Sequence, residues 1–272
     1  MRGLLLVAAS LGPPPPSSQG DAAAIAAGRA SLDRNDPAEA LRAFSSVLAR
    51  RPEDPAALQG VSRALVALGR FEEALVHLDR YARSVPDHAG VRTLRGFVLH
   101  RIGKAREAES DLRRAIELQP DLAGPYAVLA QVLRGTSRTE DSVDLLRRGI
   151  ERSPRDAAMR LELGESLALL GRDREAEAEF REALALDPTL VEARFRLGTL
   201  LERGARPSEA VAEWERVARE RPAHRGAWYR LARAYAAAGR GEESRAAQAR
   251  FREISTLEER REALRGRLKA YP

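Results

Sequence analysis

The sequence predicts an all-α solenoid of about seven 34-residue helix-turn-helix repeats, closed by a C-terminal capping helix. Three observations carry this. Six of the fifteen prolines, Pro52, Pro86, Pro120, Pro154, Pro188 and Pro222, recur at a constant spacing of 34 residues. Counting each repeat from Asp21, the eighth place is small every time (Gly28, Ser62, Gly96, Ala130, Gly164, Gly198, Ala232), and so is the twentieth (Ala40, Ala74, Ala108, Ser142, Ala176, Ala210, Ser244). Large apolar residues lie between them at helical spacing: Leu163 and Leu167, or Leu197 and Leu201, are four apart and share one helix face.

The elements follow in order. Residues 1–20 differ in composition from the rest. Met1 and Arg2 give a basic start, Gly3 to Leu11 an apolar run, and Pro13 to Gly20 a helix-breaking polar end with small residues at Ser18 and Gly20. This pattern reads as a signal peptide cleaved before Asp21, which places the protein in an exported or periplasmic setting. A disordered leader on a cytoplasmic protein is the alternative. The apolar run is too short to span a bilayer as a helix.

The repeats are assigned to 21–54, 55–88, 89–122, 123–156, 157–190, 191–224 and 225–258. In each, the first helix carries the small eighth residue. A turn is marked by Asn35, Gly69, Gly103, Gly171 or Gly239, residues that end a helix in the left-handed conformation at little cost. The fourth and sixth repeats have Ser137 and Ala205 there, with Gly135 and Gly204 nearby. The second helix then presents a large residue four places after its small one: Phe44, Leu78, Leu112, Leu146, Phe180 and Trp214. These knobs are expected to meet the small notches of the first helix. Proline stops the second helix because it lacks an amide donor and clashes with the preceding turn. In the last repeat Gln248 and Thr256 replace the large residue and the proline, so the chain is expected to run on as one helix from about Glu242 to Arg265, with residues 259–272 as the end of the cap. Phe251, Ile254, Leu257, Leu264 and Leu268 form its sparse apolar stripe. The cap covers the open end of the stack, and dimerisation through this helix is a second use of the same stripe.

Trp228, Leu231, Tyr235 and Trp214, with the recurrent small residues and prolines, resemble the tetratricopeptide repeat over Asp21 to Glu258. The resemblance implies a right-handed solenoid whose first helices line a concave groove that takes extended peptides or partner helices. Arg92 and Arg95 in the third repeat depart from it, standing where apolar residues are usual; their stems are expected to snorkel.

Charge and chemistry narrow the function. The pI is near 10.2 and the net charge +6, but both signs are interleaved along the chain, which speaks against a continuous nucleic-acid track. An acid occupies the nineteenth place of every repeat, from Glu39 to Glu243, in the first turn of the second helix, where it meets exposed amides and the positive end of the dipole. There is no cysteine. His77, His88, His100 and His224 have no ligand-set spacing and read as isolated surface histidines, while Gly239-Arg240-Gly241 reads as a turn. These readings exclude a metal, a cofactor, a small-molecule substrate and an enzyme.

Places 2, 5, 9 and 12 of the first helices lie on a face separate from the seam. They supply the candidate partner-binding residues Arg63, Phe97, His100, Gln131, Arg134, Glu165, Phe195, Glu202, Tyr229 and Arg233, with Arg101 beside His100. Acidic residues of a bound peptide are expected along Arg63, Arg101 and Arg134, and basic or apolar ones along Glu165 and Glu202. Phe97, Phe195 and Tyr229 either anchor that peptide or pack against the adjacent repeat. The function read from the sequence is a non-catalytic scaffold or adaptor for a protein or peptide. The alternative is a recognition or regulatory subunit whose catalytic partner is a separate chain.

Overall fold

Each repeat must satisfy the backbone groups at four helix ends within 34 residues; the turn between its two helices uses one device every time, while the N-terminal caps differ from helix to helix. In the computed structural model, which describes residues 19–270, every described element is a helix. The chain forms two compact units, one ending at Glu162 and the other beginning at Leu163. The first contains α1 (Gln19–Asp33), α2 (Pro37–Arg50), α3 (Pro55–Ala67), α4 (Phe71–Ser84), α5 (Ala89–Arg101), α6 (Ala105–Leu118), α7 (Ala123–Gly135) and α8 (Thr139–Arg152). Helix α9 (Ala157–Leu169) spans the division. The second unit continues with α10 (Asp173–Leu186), α11 (Val191–Arg203), α12 (Pro207–Glu220), α13 (Arg225–Ala237) and α14 (Gly241–Ala270). The α-solenoid class read from the sequence is the fold of the chain. The expected leader over 1–20 lies outside the described residues except for its last two.

The turns form as the sequence predicts. Asn35, Gly69, Gly103, Gly171 and Gly239 all have positive φ, and Ser137 (61°) and Ala205 (56°) take the same conformation despite their side chains. Gly135 and Gly204 are not the left-handed residues. The next amide then reaches back to an orphan carbonyl of the first helix, as from Arg70 to Leu65 at 2.9 Å and from Arg206 to Leu201 at 2.9 Å. That bond ends the helix and aims the chain into the next one. At the N-termini Asp36 and Asp54 each accept at 3.0 Å from the amide three residues on, and Pro37, Pro55 and Pro207 start helices where no amide donor is needed.

The knob-and-notch seam is the core. A Cβ on Gly96 would lie 2.6 Å from Leu112 Cγ, and one on Gly198 2.6 Å from Trp214 Nε1, so these first helices approach to where only hydrogen fits. Phe44, Leu78, Leu112, Leu146, Phe180 and Trp214 are all buried. A second device, not read from the sequence, links successive repeats. The fourth residue of a repeat donates to the carbonyl of the proline before it: Arg92 to Pro86 (3.0 Å), Tyr126 to Pro120 (3.0 Å), Arg194 to Pro188 (2.7 Å) and Trp228 to Pro222 (2.8 Å). Each bond satisfies a carbonyl beyond the end of a second helix.

The charges need two corrections. The nineteenth-place acids do sit in the first helical turn, but from Glu73 onward each also pairs with a cation three residues earlier, as Arg138 with Asp141 (2.7 Å) and Arg172 with Glu175 (2.7 Å). These pairs are largely exposed and contribute little each. Arg92 and Arg95 do not snorkel free: both hold Asp111, Arg92 at 3.1 Å and Arg95 at 2.5 and 2.8 Å, because a buried carboxylate needs cations around it.

The histidines are not free surface groups either; all four are partly buried. His88 and His224 cap α5 and α13, their Nδ1 atoms accepting from the amides of Val91 (3.4 Å) and Ala227 (3.0 Å). Burial pushes the His224 imidazole below its ordinary range, with Glu192 opposing and Arg221 and Arg196 reinforcing. Because the folded value is depressed, the unfolded chain binds the proton first, and stability is lost as pH falls below about 6.5. Protonation also removes the capping acceptor. The melting temperature is expected to be lower at pH 5.5 than at pH 7.5, and His224→Asn, whose amide oxygen caps at either pH, is expected to narrow that gap. An unchanged gap in scanning calorimetry would assign the pH dependence elsewhere.

Helix α14 covers α13, burying Ala247 and Ile254 and placing Ser244 Oγ 2.9 Å from the Ala232 carbonyl. It begins at Gly241 and runs without a break to Ala270. Arg225 at the start of α13 meets Glu258 at 3.3 Å, and Leu257 and Leu264 of the expected stripe are exposed. The Leu268 side chain lies outside those described. Among the described residues no helix is long and apolar enough to cross a membrane.

Candidate functional site

Residues on the first-helix face have two neighbours to serve: any partner, and the first helix of the following repeat. The geometry shows how much of the face the second claim takes. In the unit ending at Glu162, Gln131 Nε2 donates to Glu162 Oε1 at 2.6 Å, and Arg134 donates to Glu162 Oε2 at 2.6 Å and to its carbonyl at 3.2 Å. In the unit beginning at Leu163, Arg196 meets Glu165 at 2.9 Å and Arg230 meets Glu202 at 2.5 Å. The rule is the same in all three cases. The ninth or twelfth residue of one repeat pairs with the sixth residue of the next, here Glu162, Arg196 or Arg230. Sequence reasoning missed those sixth-place partners, although complementary groups 28 or 31 residues apart were there to be found.

The candidate aromatics divide. Phe97 is 8% exposed and meets Phe71 edge to face at 6.2 Å, with the Arg101 guanidinium 4.6 Å from the Phe71 ring and 5.8 Å from Phe97. Phe195 packs against Val191, Val217 and Ala227, and its ring lies 4.7 Å from His224. Both therefore pack against an adjacent repeat. Tyr229 is 45% exposed; Phe251 backs its ring at 5.6 Å and the Arg233 guanidinium stands 5.7 Å from it. His100 is half-buried, and burial, Arg101 and Arg134 together hold its pKa below the ordinary value against the pull of Glu162. Arg63 is half-buried on α3.

A cleft of about 200 Å³ opens beside Glu165, lined by Leu169, Arg196, Thr199, Leu200 and Arg203. Its Leu169 is 67% exposed, an apolar side chain left in water at the mouth of a largely apolar hollow. Neither Leu169 nor Arg203 was singled out from the sequence, since both fall at the end of a first helix, outside the places that define the face. Among the described residues no group of three or more His, Asp or Glu side chains is placed to hold a metal ion.

Models of the tetratricopeptide repeat match residues 31–96, 89–122, 128–190 and 195–256. No curated protein sequence matches the chain. Among solved structures, the thermophilic TPR protein TTC0263 of Thermus thermophilus is 26% identical with a TM-score of 0.58, covering 64% of this chain and 95% of that one. A tetratricopeptide repeat protein of Parabacteroides merdae reaches a TM-score of 0.68 at 14% identity, covering 88% and 93%. Human IFIT1, solved as a dimer with PPP-AAAA, reaches 0.66 at 16% identity, covering 81% of this chain and 55% of its own. At these lower identities the likeness is one of fold.

Proposed function

The chain belongs to the tetratricopeptide-repeat family, and from that premise we propose that it is a non-catalytic scaffold holding a protein or peptide partner on its first-helix face. One observation carries the reading. Tyr229 presents a ring 45% exposed, backed by Phe251 and flanked by Arg233, on a face whose other large groups are mostly used in packing or ion pairs. A rigid aromatic beside an arginine is a combination that concentrates binding energy at protein interfaces, because the ring buries a large area for little lost conformational freedom and the guanidinium offers a planar hydrogen-bonding fork that also stacks on aromatic faces. The Leu169 cleft in the same unit offers a place for an apolar partner side chain.

A library of displayed random peptides selected on the purified protein tests this, with hits measured by fluorescence anisotropy. Tyr229→Ala and Arg233→Glu are each expected to weaken the selected peptides about tenfold or more. Two variants are needed because Tyr229 also supports Phe251 of α14, whereas Arg233 is exposed. Undiminished binding to both would remove Tyr229 and Arg233 from the site.

A further inference from the structure

Internal pairing accounts for most polar groups on the first-helix face, which makes an exception informative. Arg63, on α3, is half-buried with its Nε enclosed, and it has no hydrogen bond or ion pair among the described residues. One turn earlier Gln59 is 6% exposed, and its enclosed Nε2 also lacks an acceptor. The charges that act on Arg63 are Asp33, which favours the cation, and Arg29, which opposes it; neither is in contact with it. Arg92, Arg95, Arg134, Arg194 and Arg230, all comparably buried, each hold a carboxylate. A partly desolvated guanidinium with no counter-ion is costly to keep.

The rest of the face shows what is missing. Two polar ninth-place residues are satisfied from the sixth place of the next repeat, Gln131 by Glu162 and Glu165 by Arg196. Arg63 is the ninth residue of its repeat, and the sixth place of the following one is Leu94, apolar and 1% exposed. The carboxylate that the pattern supplies elsewhere is absent.

We propose that Arg63 and Gln59 form the anchor for a carboxylate side chain of a protein partner, so that an Asp or Glu of an acidic segment laid along α3 takes the part that Glu162 plays at Gln131 and Arg134. Arg63 offers a planar fork that binds a carboxylate through two parallel bonds, and Gln59 Nε2 donates a third when the side chain turns outward. A carboxylate is the ligand favoured here because it is what Arg92, Arg95, Arg134, Arg194 and Arg230 hold. This inference rests on the preceding one, that partners lie on the first-helix face.

The test uses labelled dodecapeptides selected from displayed pools on the whole chain, each paired with its Glu→Gln counterpart, against the wild type, Arg63→Gln and the surface control Arg34→Gln. Wild-type binding is expected to fall about tenfold on replacing one peptide glutamate, and equally on Arg63→Gln, with no further loss when both are changed. Arg34→Gln is expected to change nothing, and the melting temperature of Arg63→Gln is expected not to drop, since no internal partner is lost. Equal affinity of wild type and Arg63→Gln for glutamate-bearing peptides overturns the anchor. So does displacement by inorganic phosphate at concentrations where acetate has no effect. Selected peptides without acidic residues that bind both proteins alike overturn it too, and leave the face reading standing. Failure to select any peptide overturns both.

Discussion

Trp214→Ala is expected to lower the unfolding free energy by about 3–5 kcal/mol. Trp214 is fully buried in the notch above Gly198, where the close approach leaves no slack for the helices to settle into the space once the indole is gone. Its Nε1 is enclosed without an acceptor, so the loss is one of packing and not of a hydrogen bond. Trp214→Phe separates the two effects: it keeps most of the apolar contact and removes an unsatisfied donor that costs about 1–3 kcal/mol. That variant is expected to be much less destabilised than the alanine one. Repeat arrays are stabilised chiefly by neighbour contacts, so the amides of α11, α12 and α13 are expected to exchange faster in Trp214→Ala while those of α3 to α6 keep their protection. Urea denaturation placing the alanine variant within about 1 kcal/mol of the wild type, or uniform acceleration of exchange along the chain, would contradict this account of the seam.

The contrast between seam and face explains what could be read beforehand. The notch at Gly198, the knob at Trp214 and the turn at Gly171 each recur with the repeat, so the sequence states them many times over and the period exposes them. Even Ser137 and Ala205, which lack glycine's freedom, adopt the left-handed turn because the array fixes the place. The face carries no such redundancy. Arg134 finds Glu162, whereas Glu165 finds Arg196 with the signs reversed, and Arg63 finds nothing. Whether a residue there serves a partner or the next repeat depends on one residue 28 or 31 positions away. Composition and local periodicity do not report that residue. Phe97 and Phe195 look like binding aromatics by place alone and are packed; Leu169 looks like nothing by place and is the most exposed large apolar side chain among those described.

Repeat three tests how far an array tolerates a polar seam. Asp111 is 3% exposed between Arg92 and Arg95, and Arg95 also reaches Asp79 at 3.3 Å. Asp111→Ala leaves two guanidiniums, each about a quarter exposed, facing an apolar seam with only the more distant Asp79 to answer them. The expected loss is about 3 kcal/mol, near the low end for breaking a buried pair because water still reaches both cations. The neighbouring repeat shows the apolar alternative: Tyr126, Leu129 and Leu145 occupy the places of Arg92, Arg95 and Asp111, and all three are buried. Transplanting that trio as Arg92→Tyr, Arg95→Leu and Asp111→Leu removes those three charges at once and leaves only Asp79, whose side chain is 46% exposed; it keeps a donor for the Pro86 carbonyl and is expected to restore at least wild-type stability. Denaturation midpoints with unchanged slopes would report both results. A triple variant as weak as Asp111→Ala alone would mean that the third seam is shaped around its ions. Recovery would mean that the ions occupy a site the fold could fill with leucine.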